Sequence, residues 1–209
     1  MNNYLENLNE EQKLPVLHKD GPLIVIAGAG SGKTRVLTYR IIHLINEGVD
    51  PFNILALTFT NKAALEMKNR ISLITSESVS RSIWMGTFHS IFARILRSEA
   101  PLIGYPTNFT IYDTYDSEKL ISNIIKEKKL DKDTYKAKSI KNRISSLKNN
   151  FITVENYFNN SELIEVDKAA KRDLFGEIYQ EYVRRCFKAS VMDFDDLLLY
   201  YHDLLAQNS

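Results

Sequence analysis

One cysteine, one tryptophan, five prolines and eight glycines in 209 residues leave several architectures without material. The lone Cys186 cannot close an internal disulfide, and nothing near it has metal-ligand spacing, so a reducing, cytoplasmic setting is expected. Apolar runs stop at four or five residues, far short of the roughly 20 that span a membrane. The start, Met1-Asn2-Asn3-Tyr4-Leu5-Glu6, lacks the basic and apolar regions of a signal peptide. Excess charge is missing too. Lys and Arg number 27 against 26 Asp and Glu, a net charge of +1, so any preference for nucleic acid must be local. No internal repeat and no low-complexity linker interrupts the chain, whose length suits one large domain or two small ones with a sizeable core. A soluble intracellular protein is expected.

What is present begins with the run Ala27-Gly28-Ala29-Gly30-Ser31-Gly32-Lys33-Thr34. It follows the apolar stretch Leu23–Ile26 and precedes a helical pattern, where a phosphate loop belongs: between a buried strand and a helix. Closely spaced glycines let successive backbone N–H groups turn toward one anion without Cβ clashes. Lys33 can reach the β- and γ-phosphates, the Thr34 hydroxyl can ligate Mg²⁺, and the helix N-terminus adds partial positive charge. Ala27 stands where the G-x-x-x-x-G-K-[ST] pattern begins with glycine; alanine is the smallest substitute, and Gly28 and Gly30 supply flexibility. ATP with Mg²⁺ is the expected cofactor.

Further along, periodicity predicts alternating helices and short apolar strands. Val36, Leu37, Ile41, Leu44 and Ile45 form a helical stripe ended by Gly48, and Ile54–Leu57 reads as a fully apolar strand. Ala64, Met67, Ile71 and Ile74 mark a second helix, Ile83–Met85 a further strand, and Phe88, Ile91, Phe92, Ile95 and Leu96 a third helix closed by Pro101 and Gly104. Phe109–Tyr112 reads as another strand. This alternation predicts an α/β fold with a parallel sheet. After Asp113 strand-like runs nearly vanish. Residues 126–148 hold eight Lys and one Arg against three acids, either a solvated helical face or a phosphate-contacting one. Another amphipathic helix runs from Asp173 to Phe187, and the α/β pattern resumes near Met192.

Several segments together resemble superfamily 1 DNA helicases of the UvrD/PcrA/Rep type, over nearly the whole chain. Leu8-Asn9-Glu10-Glu11-Gln12 resembles their Q motif, and the resemblance implies that Gln12 pairs with adenine while Arg35 packs against the base. Thr58–Met67 resembles motif Ia and Gly86-Thr87-Phe88-His89-Ser90 resembles motif Ib. Both stand at carboxyl ends of expected strands, where open α/β sheets bind ligands. The resemblance implies single-stranded DNA contacts by Phe59, Thr60, Asn61, Thr87 and His89, an aromatic face for a base and polar groups for phosphates. An N-capped helix with Phe59 in the core is the structural alternative.

Asp193-Phe194-Asp195-Asp196 resembles the segment returning from the inserted domain to the core. Only Val191 and Met192 lead into it, so the acids read as a helix cap for Leu197–Leu205 and not as the Mg²⁺-binding acid of a phosphate-loop enzyme. The family's strand ending in Asp-Glu and its second RecA-like domain do not occur before Ser209. The expectation is therefore a RecA-like phosphate-loop core over 1–113, a mostly helical insertion over 114–187, and a return to the core over 188–209 that stops short of the Walker B motif. The resemblance implies the N-terminal part of an ATP-dependent 3′→5′ DNA helicase or translocase, acting in repair or replication on single-stranded and duplex DNA. By itself such a part is expected to lack hydrolysis and unwinding. A helicase subunit of a helicase–nuclease is a rival, as is a small-molecule kinase with a helical lid, which would leave 58–67 and 86–90 without a purpose.

Overall fold

A computed structural model describes residues 4–207. Met1–Asn3, half of the start compared with a signal peptide, and Asn208–Ser209 lie outside the described residues. The chain divides between Ile91 and Phe92 into two compact units.

In the first unit, α1 (Glu10–Leu17) opens with a reciprocal cap: the Gln12 N–H donates to Asn9 Oδ1 (2.8 Å) and the Asn9 N–H to Gln12 Oε1 (3.3 Å). α2 (Lys33–Asn46) starts from Gly32 and stops at Gly48, whose φ of +92° closes the helix as the sequence predicts. β1 (Leu55–Thr58) is followed by α3 (Asn61–Ile74), which Thr60 caps through its hydroxyl. The short α4 (Glu77–Ser82), capped by Ser76, leads to β2 (Trp84–Thr87). β1 and β2 pair in parallel, Leu55 with Trp84 through Thr58 with Thr87. Ile41, Ile42, Ile54, Met67, Ile71 and Ile83 form the core beneath them; Ile41, Met67 and Ile71 lie on the helical stripes that periodicity assigns, while Leu37 and Ile74 of those stripes are exposed.

α5 (Phe88–Glu99) crosses the division between the units. In the second unit, β3 (Thr110–Tyr112) pairs in parallel with β4 (Val191–Asp193), and the chain between them is entirely helices and turns. These helices are α6 (Thr114–Glu127), α7 (Ala137–Asn149), α8 (Val154–Phe158), α9 (Ser161–Ala169) and α10 (Phe175–Lys188). They share one core, which includes Ile121, Ile124, Ile140, Ile144, Phe175, Ile178, Tyr179 and Tyr182. α11 (Phe194–Gln207) begins three residues earlier than the sequence suggests; with α5 it buries Leu96, Phe109, Met192, Leu197 and Leu204.

Two expectations need correction. Leu23–Ile26 is not a strand: Ile24 is 86% and Ile26 94% exposed. An apolar run reports only a propensity, while a strand exists through backbone pairing. Among the described residues no neighbour runs alongside this one. For the same reason the sheet consists of two separate parallel pairs, and the described residues do not form a complete RecA-like core.

Candidate functional site

The run 27–34 forms an exposed loop directly ahead of α2. Gly30 (φ +78°) and Gly32 (φ +88°) adopt the left-handed conformation that residues with a Cβ rarely take. Ser31 closes the turn by donating its hydroxyl to the Gly28 carbonyl (2.7 Å). Lys33 curls back over the loop, its ammonium donating to the carbonyls of Ala27 (2.8 Å) and Gly28 (2.6 Å). Gly32 offers α2 no side-chain cap, so the N–H groups of its first turn are open to an anion, and Thr34 is exposed within that turn. A mobile cation, an uncapped helix N-terminus and a hydroxyl at one point suit a triphosphate and its Mg²⁺.

Gln12 lies against this loop. Its Nε2 donates to the Ser31 carbonyl (3.1 Å), and a Cβ on residue 32 would sit 2.8 Å from that nitrogen. Gly32 is thus favoured by its φ, and a side chain there would also displace the Gln12 amide from the loop. Arg35 donates to the Asn7 carbonyl (2.5 Å), its guanidinium 5.6 Å from the Tyr39 ring centroid. It pins the segment before α1 onto α2.

The Thr58–Thr87 register places the two DNA-contact candidates side by side. Phe59 is 92% exposed, with its ring 5.6 Å from Phe88. Thr58 donates its hydroxyl to the Thr60 carbonyl (3.0 Å), shaping the turn that leaves Phe59 outside the core. Asn61 is exposed in the first turn of α3; Thr87 Oγ1 accepts from the Ser90 N–H (3.3 Å), and His89 is half-buried at the start of α5. The carboxyl ends of two adjacent parallel strands thus carry an exposed Phe59 beside a half-buried Phe88, with Thr60, Asn61 and Thr87 around them, the chemistry of a stacking platform with phosphate-binding rims.

Asp193 and Asp196 form a second reciprocal cap: the Asp196 N–H donates to Asp193 Oδ1 (2.9 Å) and the Asp193 N–H to Asp196 Oδ2 (3.0 Å). Both are 3% exposed, and Lys148, 2% exposed, reaches Asp193 (2.8 Å) and Asp196 (2.7 Å). Tyr182 also donates to Asp193 (2.8 Å), and Asn149 donates to Asp195 (3.0 Å). The uniform view of 126–148 as one charged face therefore fails at Lys148. The signal was in the sequence: Ile140, Ile144, Leu147 and Lys148 share one helical stripe, so periodicity places this lysine inside.

Burial disfavours the Lys148 ammonium, yet the Asp196 and Asp193 carboxylates hold its pKa well above the usual lysine range. Burial opposes ionisation of Asp193, but Lys148 beside it keeps its pKa low. Asp196 is pushed up to about 7 by burial, with Lys148 opposing and the Asp193 charge adding to the rise. A carboxyl whose folded pKa exceeds its unfolded value of about 3.9 stabilises fully below that value and loses its contribution as pH rises through the folded one. The unfolding temperature should therefore drop as pH rises from about 4 to about 7, and Asp196→Asn should flatten this slope in scanning calorimetry. An unchanged slope would remove Asp196 as its source.

The UvrD/REP helicase N-terminal domain matches residues 8–209, and the chain belongs to that family. ATP-dependent DNA helicase PcrA of Staphylococcus epidermidis is 42% identical over 203 residues, covering 95% of this chain and 26% of that protein. PcrA of Bacillus subtilis is 43% identical over 199 residues, again 95% and 26%, and PcrA of Leuconostoc citreum 41% over 198, 94% and 26%. The chain spans about a quarter of the length of these relatives. No helix among the described residues is long and apolar enough to cross a membrane.

Proposed function

We propose that this chain is the ATP- and single-strand-binding N-terminal part of an ATP-dependent 3′→5′ DNA helicase or translocase of the cytoplasm, working in DNA repair or replication. The loop 27–34 binds the triphosphate, Thr34 ligates Mg²⁺, and Gln12 and Arg35 face the base. Phe59, Thr60, Asn61, Thr87 and His89 hold the single strand. Residues 1–113 with 188–209 belong to the RecA-like core, and 114–187 form an inserted helical domain that leans on duplex DNA. The separate core of α6–α10 supports that division. The chain alone is a binding module: its Asp193 and Asp196 carboxylates are consumed by Lys148 and the α11 cap, leaving them unsuited to hold Mg²⁺ or orient water. Turnover requires the other domains of a complete motor.

The observation that carries this reading is the exposed Phe59 beside Phe88, held at the ends of paired strands in the same unit as the phosphate loop. Stacking of one base on an aromatic side chain contributes about 1–3 kcal/mol. Phe59→Ala should weaken binding of an oligo-dT strand about 5- to 100-fold in fluorescence anisotropy. Affinity for a nucleotide analogue should not change. Equal oligo-dT affinity for wild type and variant would sink the proposed strand path.

A further inference from the structure

We infer that Tyr4 and His43 form a positioning pair that sets Gln12 against the phosphate loop, an inference resting on the nucleotide-binding reading above. The Tyr4 hydroxyl lies 2.8 Å from His43 Nδ1, on the third turn of α2. Arg35, on the first turn of the same helix, holds the Asn7 carbonyl, so the segment entering α1 is fixed to α2 at two points. Leu8, the residue after Asn7, is buried with Val36 and Tyr39, which lie between Arg35 and His43 on α2. Gln12 follows within the first turn of α1, and its amide touches the loop that opens α2. One rigid helix therefore measures both the phosphate site, at its N-terminus, and the residue facing the base.

The His43 ring packs near that of Tyr4, their centroids 6.3 Å apart, but packing alone does not call for a histidine. It is 5% exposed, and its Nε2 is buried without a partner among the described residues. An orphaned buried polar atom is destabilising, and an aliphatic side chain at this core position would avoid it. The one hydrogen bond His43 makes through Nδ1 is the bond to Tyr4. Its consequence lies in where the entry to α1, and with it the Gln12 amide, is held.

The test separates base recognition from phosphate binding in the full 209-residue chain. Calorimetry would compare a non-hydrolysable ATP analogue with inorganic tripolyphosphate, both with Mg²⁺. Tyr4→Phe removes only the half-buried hydroxyl and should weaken the ATP analogue about 3- to 10-fold while leaving tripolyphosphate unchanged. His43→Leu should reproduce that split, and His43→Asn, whose Oδ1 stands near the Nδ1 position, should bring the affinity for the ATP analogue most of the way back to the wild-type value. If His43→Leu does not fold, Tyr4→Phe decides alone. Unchanged affinity for both ligands, or an equal loss for both, would overturn the positioning role. A wild-type chain that binds neither ligand would overturn the nucleotide reading itself. One that binds both equally well would remove the adenine contact and this inference with it.

Discussion

Lys148→Met should destabilise the second unit by about 3–5 kcal/mol, because removing one partner of a buried ion cluster strands the other in an apolar interior. Lys148 reaches both Asp193 and Asp196, all three almost fully buried, and Tyr182 adds a hydroxyl donor to Asp193. The cluster ties α7, α10, β4 and the start of α11 together. Methionine preserves much of the stem volume, so cavity formation contributes little and the cost is electrostatic. Adding Asp193→Asn and Asp196→Asn keeps cap acceptors on α11 while discharging the cluster, and should recover most of the loss. Urea denaturation of the single and triple variants measures both. A single-variant loss below about 1 kcal/mol, the size of an exposed ion pair, would show that the cluster is not holding these elements.

Lys33→Ala should weaken binding of a non-hydrolysable ATP analogue about 10- to 100-fold, the equivalent of a charge-assisted hydrogen bond of about 1.5–3 kcal/mol. Its ammonium now donates to the Ala27 and Gly28 carbonyls, both in the exposed loop. Binding exchanges these neutral acceptors for phosphate oxygens, which are charged and pair more strongly. Lys33 is exposed, so its truncation should leave the unfolding midpoint nearly unchanged, separating lost binding from lost fold. Calorimetric titration with equal affinity for wild type and variant would withdraw the phosphate-loop assignment.

The local chemistry of this protein was legible in the sequence because it is written in near neighbours. Gly30 and Gly32 mark left-handed turns, Asn9 and Thr60 mark helix starts, and Gly48 marks a helix end; each depends on residues at most four positions away. The buried Met67 and Ile71 of α3, and the existence of α10, followed from 3.6-residue periodicity for the same reason. The order of motifs along the chain sufficed to identify the helicase family.

Tertiary structure alone decided what depends on distant partners. Leu23–Ile26 has the composition of a strand, yet strands are made by pairing, and no described segment runs beside it. Phe59 could have packed inward by hydrophobicity; the turn held by Thr58 and Thr60, and the register of β1 against β2, left it outside. Periodicity can place Lys148 on a buried stripe and Asp193 and Asp196 at a helix start, but nothing in the sequence says that they meet, 45 positions apart at the Lys148–Asp193 contact. Burial joined them, since charges inside a protein must find each other or remain uncompensated. Tyr4 and His43, 39 positions apart, met for a similar reason: the chain entering α1 is held to α2 at Arg35 and again at His43.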